Sequence, residues 1–199
     1  TEIYTLSLHD ALPIFIIFKS ASEDLSPFLI TAMKNTIALC CFIIFFLLFD
    51  IPIWYNGFDS PDYIKIIISG CLGMGFGDVL FIYALSKIGA NRVAIINCFE
   101  PGVIYFFSII MLGIILTVQQ FIGFIIVIIS ILIITFEKDK YDIEPKMKKQ
   151  GMFIMIFAIL MSSFGIVLIK PVLQKTTDSI FIQLWVTVFR LLPGFIIAW

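Results

Sequence analysis

The chain has 199 residues, of which 61% are hydrophobic and 14% charged, with a formal net charge of -1 and a mean hydropathy of +1.10. A soluble domain carries about 45–50% apolar and about 25% charged residues, so there are too few polar side chains here to cover a globule in water. No basic patch is interleaved with aromatics, which speaks against nucleic acid as a partner, and several apolar runs of about 20 residues point to an all-α polytopic membrane protein whose first partner is the lipid bilayer.

In chain order, residues 1–14, TEIYTLSLHDALPI, are polar and unlike the rest of the chain. They match the conceptual translation of a sequencing-library adapter, and the expectation is a non-native leader. The single histidine, His9, lies there and receives no role. Ala11–Phe18 is too short to span and is not read as a signal peptide. Phe15–Phe18 reads as the tail of a first span. Lys19–Ser26 is a polar turn, and Ser26-Pro27 suits a helix start with proline in the first turn. The second span is expected over Pro27–Phe49. Asp50–Asp62 is a loop by its Pro, Gly and Asp content, with Trp54 and Tyr55 suited to the headgroup layer.

The third span is expected over Tyr63–Ser86. Gly70, Gly73 and Gly77 fall on it as helix-packing residues, Gly73 and Gly77 forming a GxxxG pair that lets helices approach closely. The dinucleotide spacing G-x-G-x-x-G fails, because Asp78 stands where the last glycine would be. The turn Lys87–Arg92 leads to a fourth span, Asn91–Leu112, and a short turn to a fifth, Leu116–Phe136. Residues 137–150, EKDKYDIEPKMKKQ, form the one strongly charged linker. The sixth span is expected over Gly151–Ile169, closed by Lys170-Pro171. The seventh starts near Ser179 and stops in apolar sequence at Trp199, so the expectation is a fragment cropped at both ends.

Four cysteines, Cys40, Cys41, Cys71 and Cys98, sit inside apolar runs with no CxxC pair and no Cys/His cluster. They read as small apolar packing residues, not as a disulfide framework or a metal site. No cofactor motif is present.

The deep ionisable residues are Lys34, Asp78, Glu100 and Arg190. Each costs about 2.5–3.5 kcal/mol at a helix centre, so four unpaired would cost roughly 10–14 kcal/mol. Let side A be the membrane face that holds the Lys87–Arg92 turn, and side B the other. Asp78 lies eleven residues before Gly89 and Glu100 eleven after it. At about 1.5 Å per residue, both sit about 12–16 Å below side A, with Lys34 about 12 Å below it. Arg190 comes from side B and reaches the same depth in a core about 30 Å thick. Two acids and two bases thus share one layer. Depth alone leaves open whether they meet, because the rotation of each helix is not set by counting. The two readings are a polar midplane site for a solute, a proton or both, and ion pairs that only fix packing. Asn97, one turn before Glu100, is a further candidate for that face. Pro101 predicts a kink or a freed carbonyl beside Glu100. Lys65, Lys87, Arg92 and Lys170 sit at span ends and read as snorkelling to the headgroups.

A weak internal repeat is also present. Phe15–Lys19, a polar turn and a span with Lys34 parallel Gly165–Lys170, a polar turn and a span with Arg190. A unit of five spans is odd, so a second copy would be inverted. The expected organisation is therefore a helical bundle with inverted five-span repeats, the second truncated: 15–136 as the first repeat, 137–150 as linker and 151–199 as the start of the second.

The run Ala84-Leu85-Ser86-Lys87, Gly89-Ala90-Asn91-Arg92-Val93-Ala94, Phe99-Glu100-Pro101, Leu112-Gly113 and Gln120-Phe121-Ile122-Gly123 resembles the fourth-span signature of EamA-type transporters, of the drug/metabolite transporter superfamily. Glu23-Asp24-Leu25-Ser26-Pro27 before a span with Lys34 is also similar, with Lys where the family more often has Arg. The resemblance implies ten spans in two inverted halves and movement of small metabolites or drugs. This chain would be the end of span one through part of span seven. It departs from the family at Ile114, where many members have an acid after Leu-Gly, and no role of that acid carries over. Lysine and arginine counts put side A in the cytoplasm, whereas the family's internal amino terminus puts it outside; both orientations stay open.

The functional expectation is transport of small organic solutes by alternating access. Asp78 and Glu100 are candidates for proton or cation coupling, and Lys34 and Arg190 for counter-ions or for holding an anionic group. The alternatives are an uncoupled exchanger or facilitator and a membrane scaffold without transport. An intramembrane enzyme is not expected, since no nucleophile–base or metal-ligand constellation is present. The expected location is the plasma (inner) membrane of a prokaryote.

Overall fold

A segment in hydrocarbon has no water to satisfy its backbone, so an apolar run must hydrogen-bond within itself as a helix. The computed structural model describes residues 16–50, 57–114, 117–135, 145–175 and 180–199, and its apolar runs are helical. The elements are α1 (residues 16–24), α2 (Pro27–Leu48), α3 (Ser60–Ile88), α4 (Ala90–Leu112), α5 (Val118–Thr135), α6 (Pro145–Gln174) and α7 (Ile180–Ala198). Among the described residues, α2, α3, α4, α6 and α7 are long and apolar enough to cross a membrane. The chain is thus an all-α polytopic bundle. The expected leader with His9, the Trp54–Tyr55 loop and residues 137–144 of the linker lie outside the described residues.

Helix boundaries follow local chemistry. Ser26 is extended (ψ 148°) and its hydroxyl accepts the Leu29 N–H at 3.2 Å, with Pro27 in the first turn. Replacing Ser26 by Ala is expected to lower stability by about 1 kcal/mol, read as thermal unfolding in detergent. The turn expected over Lys87–Arg92 is tighter than the sequence suggests. Gly89 alone separates α3 from α4, at φ 83° and ψ 164°, a backbone state that disfavours any side chain. Gly113 ends α4 at φ 63°, its N–H bonded to the Ile109 carbonyl at 3.0 Å and that of Ile114 to the Ser108 carbonyl at 3.5 Å.

Two boundaries correct the sequence reading. α6 begins at Pro145, inside the expected linker, and Pro171 does not close it, because the helix runs on to Gln174. A proline forfeits one backbone bond and crowds the carbonyl one turn back. With one turn left to the helix end, that loss does not stop it. α3 also departs from a regular helix, since Cys71–Gly77 forms wide π-type turns in which the Asp78 N–H reaches the Gly73 carbonyl. Three glycines in seven residues (CLGMGFG) weaken the α form there.

α3 and α6 form the centre, with α7 and α2 on one flank and α4 on the other; α5 lies against the first half of α4. Backbones meet where side chains are absent. The Ser69 hydroxyl donates to the Gly165 carbonyl at 2.6 Å, tying α3 to α6. Gly70 abuts the Arg190 carbonyl of α7, and Gly77 faces Ala158 and Ser162 of α6. Two apolar cores result. One, toward side B, gathers Phe58, Ile66, Ile169, Val172 and Trp185, with Trp185 stacked on Phe189 at 3.8 Å. The other, toward side A, gathers Ala84, Leu85, Ile88, Val93, Met155 and Ile159. Outward positions such as Ile37, Leu47, Ile110 and Ile196 are exposed apolar groups, as a lipid-facing surface requires.

Ion pairs and hydrogen bonds also form at the span ends. Asp62, at the start of α3 and 2% exposed, accepts from Lys175 Nζ at 2.6 Å, with Lys65 Nζ 3.8 Å from its other oxygen. The carboxylate holds the Lys175 ammonium pKa above the usual lysine value. On side A, Lys19 donates to the Ser86 carbonyl at 3.2 Å and faces Glu23 at 3.4 Å.

Candidate functional site

The polar layer lies between the two cores. Its charges can be tolerated there only if each finds partners or water. Lys34, from α2, donates its ammonium to Asp78 Oδ2 on α3. Asp78 stands directly after the π-type turns, whose altered winding sets its rotation about α3. From α7, the Arg190 guanidinium interacts electrostatically with Asp78, while its buried Nε has no hydrogen-bond partner. A methyl at Gly73 would lie 3.5 Å from Arg190 Nη2, in van der Waals contact with the guanidinium.

Glu100 takes the other side of the layer. Its Oε1 accepts from the Ser162 hydroxyl of α6 at 3.1 Å, and the Asn97 side chain hydrogen-bonds to it from one turn before. The disruption that Pro101 predicts is present, since α4 is interrupted at Cys98–Phe99, where the Phe99 N–H reaches back three residues to Ile96 at 3.0 Å. That break places Glu100 at the start of a new helical segment.

Two cavities adjoin these groups. One of about 240 Å³ is bordered by Asp78, Asn97, Glu100 and Ser162, with Phe81 and Ile159 as apolar wall. The other, of about 320 Å³, is bordered by Lys34, Asp78, Ser162 and Arg190, with Met74 and Ile166. Asp78 and Ser162 border both. All five polar positions named from the sequence therefore meet around one divided space, which counting depth alone left open. Of the helix-packing positions, Gly70 abuts α7, Gly77 faces α6, and Gly73 borders the second cavity. Pro101 is exposed.

Sequence reasoning did not single out Ser162. Its only signal is a hydroxyl pair, Ser162-Ser163, in an otherwise apolar run. The Lys34–Asp78 pair also distinguishes the two bases, since the ammonium has a partner and Arg190 forms no ion pair among the described residues. No group of three or more His, Cys, Asp or Glu that would hold a metal occurs among the described residues.

No curated protein and no solved structure matches the chain at a significant level. The model of the EamA-like transporter family matches residues 14–136, a stretch that holds Lys34, Asp78, Asn97 and Glu100. Members of that family are transporters, so the chain is not an enzyme. With more than half of its length matched, the chain belongs to the EamA-like transporter family, integral membrane proteins with a general role in transport.

Proposed function

We propose that the protein moves small organic solutes across the plasma (inner) membrane of a prokaryote by alternating access, with Glu100 carrying a coupling proton. In this reading the five-span unit is the first of two inverted halves, and residues 151–199 begin the second. The observation that carries it is the pair of adjoining cavities that share Asp78 and Ser162 in the charged layer. A packing role alone calls for side chains that close on one another, and these leave space between α3, α4, α6 and α7.

Glu100 suits a proton carrier. Its side-chain partners Ser162 and Asn97 are both neutral, so its carboxyl can gain or lose a proton without breaking an ion pair. The Lys34–Asp78 pair is better placed to change partner when the solute arrives. An uptake and export screen of the complete gene product in a tolerant host, followed by proteoliposome assays, tests the reading. Glu100→Gln is expected to abolish proton-driven accumulation while solute exchange persists. A Glu100→Gln protein that transports normally and keeps its pH dependence would count against a coupling role for Glu100, and a wild-type protein without proton-driven accumulation would point to an uncoupled facilitator.

A further inference from the structure

The second cavity is electrically uneven. Lys34 and Arg190 bring two positive charges to it and Asp78 one negative, leaving one positive charge in excess. The Lys34 ammonium is already engaged by Asp78. Arg190 shares Asp78 only electrostatically, and its buried Nε meets no hydrogen-bond acceptor among the described residues. A buried donor without an acceptor is costly, and Gly73 presents bare backbone beside Nη2, where a Cβ would already be in contact at 3.5 Å and a larger side chain would crowd the guanidinium.

We propose that the cavity between Lys34, Arg190 and Asp78 is a subsite for the carboxylate of a small monoanionic solute, seated on the Arg190 guanidinium; the inference rests on the transport reading above. The planar fork of a guanidinium matches the two oxygens of a carboxylate. One excess positive charge balances a monoanion, whereas a phosphate dianion would leave the layer negative. Met74, Ile166 and Leu191 form the wall around these charges, which suits a compact apolar body on the solute. Asp78 borders the same space and repels a second carboxylate, which selects for a single acid group. The Ser162 hydroxyl links this space to the Glu100 cavity, so one bound carboxylate and one proton on Glu100 together keep the layer neutral.

The test is calorimetric titration of the complete gene product in phosphatidylcholine nanodiscs with acetate, isovalerate and benzoate, each against its amide. At least one acid is expected to bind and its amide to bind about tenfold to hundredfold more weakly, the range for a lost charge-assisted hydrogen bond. Arg190→Gln is expected to remove that preference, with folding verified by thermal unfolding. Gly73→Val, which keeps every charge and fills the space beside the guanidinium, is expected to weaken binding of the acid and amide alike. If no acid binds better than its amide, the subsite is wrong. If uncharged or cationic solutes are nevertheless transported, the transport reading stands without it. Carboxylate binding with no transport of any solute would keep the subsite and overturn the transport reading. If phosphatidylglycerol in the nanodiscs displaces the acid, the occupant is a lipid headgroup and the solute assignment fails.

Discussion

Gly70→Val is expected to lower the stability of the bundle by about 3 kcal/mol, at the upper end for overpacking a core. A Cβ at that position would overlap the Arg190 carbonyl and lie 3.0 Å from Pro193 Cγ. The obstacle is mostly backbone, so relief requires α7 to move as a whole. The contact is reciprocal, since a Cβ at Gly194 on α7 would lie 2.7 Å from the Met74 carbonyl on α3. Gly194→Val is therefore expected to be similarly damaging. Gly123→Ala provides the contrast, because nothing lies within 4 Å of its added methyl on α5. That change is expected to be neutral or to stabilise by up to about 1 kcal/mol through helix propensity. Thermal unfolding in detergent reads all three. Equal stability of the Gly70→Val and wild-type proteins would show that α3 and α7 do not cross where the structure places them.

The second large effect concerns Lys34 and Asp78. Asp78→Asn leaves the Lys34 ammonium without its carboxylate and raises the excess charge of the second cavity to two. Removing one partner of a fully buried pair costs about 3–5 kcal/mol. These side chains are 37% and 32% exposed, so about 2 kcal/mol is the expected loss. On the transport reading proposed above, transport is expected to fall below detection, because the site would carry one more positive charge. The double variant Lys34→Met with Asp78→Leu separates structure from function. Replacing both members of a pair by apolar groups is often neutral or stabilising. Stability is therefore expected to return toward wild type while transport stays lost. Recovery of both would make the pair a packing device alone.

The glycines at these two sites show how much the sequence carried. Gly73 and Gly77, with Gly70 one turn before, mark a helix-packing stretch in the sequence, since small residues four apart let backbones approach. Spacing does not say which helix approaches, and the three positions have different neighbours. Gly70 meets α7, Gly77 meets α6, and Gly73 lies between the Arg190 guanidinium of α7 and Gly165 of α6. The π-type turns at Cys71–Gly77 had a compositional cause in the same residues. Their consequence for the direction of Asp78 depends on the path of the backbone.

Apolar run length and the scarcity of charge determined the class of this protein. A bilayer admits a single segment only as a self-bonded helix, so the spans can be counted from composition. Counting also ordered the residues along each helix, because an α-helix rises about 1.5 Å per residue and Gly89 marks a common origin for Asp78 and Glu100. The family signature around Ala84–Gly123 was equally local. Only the tertiary structure decided which charges touch. It paired Lys34 with Asp78, gave Glu100 to Ser162 and Asn97, and left the Arg190 Nε without an acceptor. It also carried α6 through Pro171 and brought Asp62 to Lys175. The physical reason is rotational: a residue's depth follows from counting along one helix, whereas its azimuth is set by how neighbouring helices pack against it.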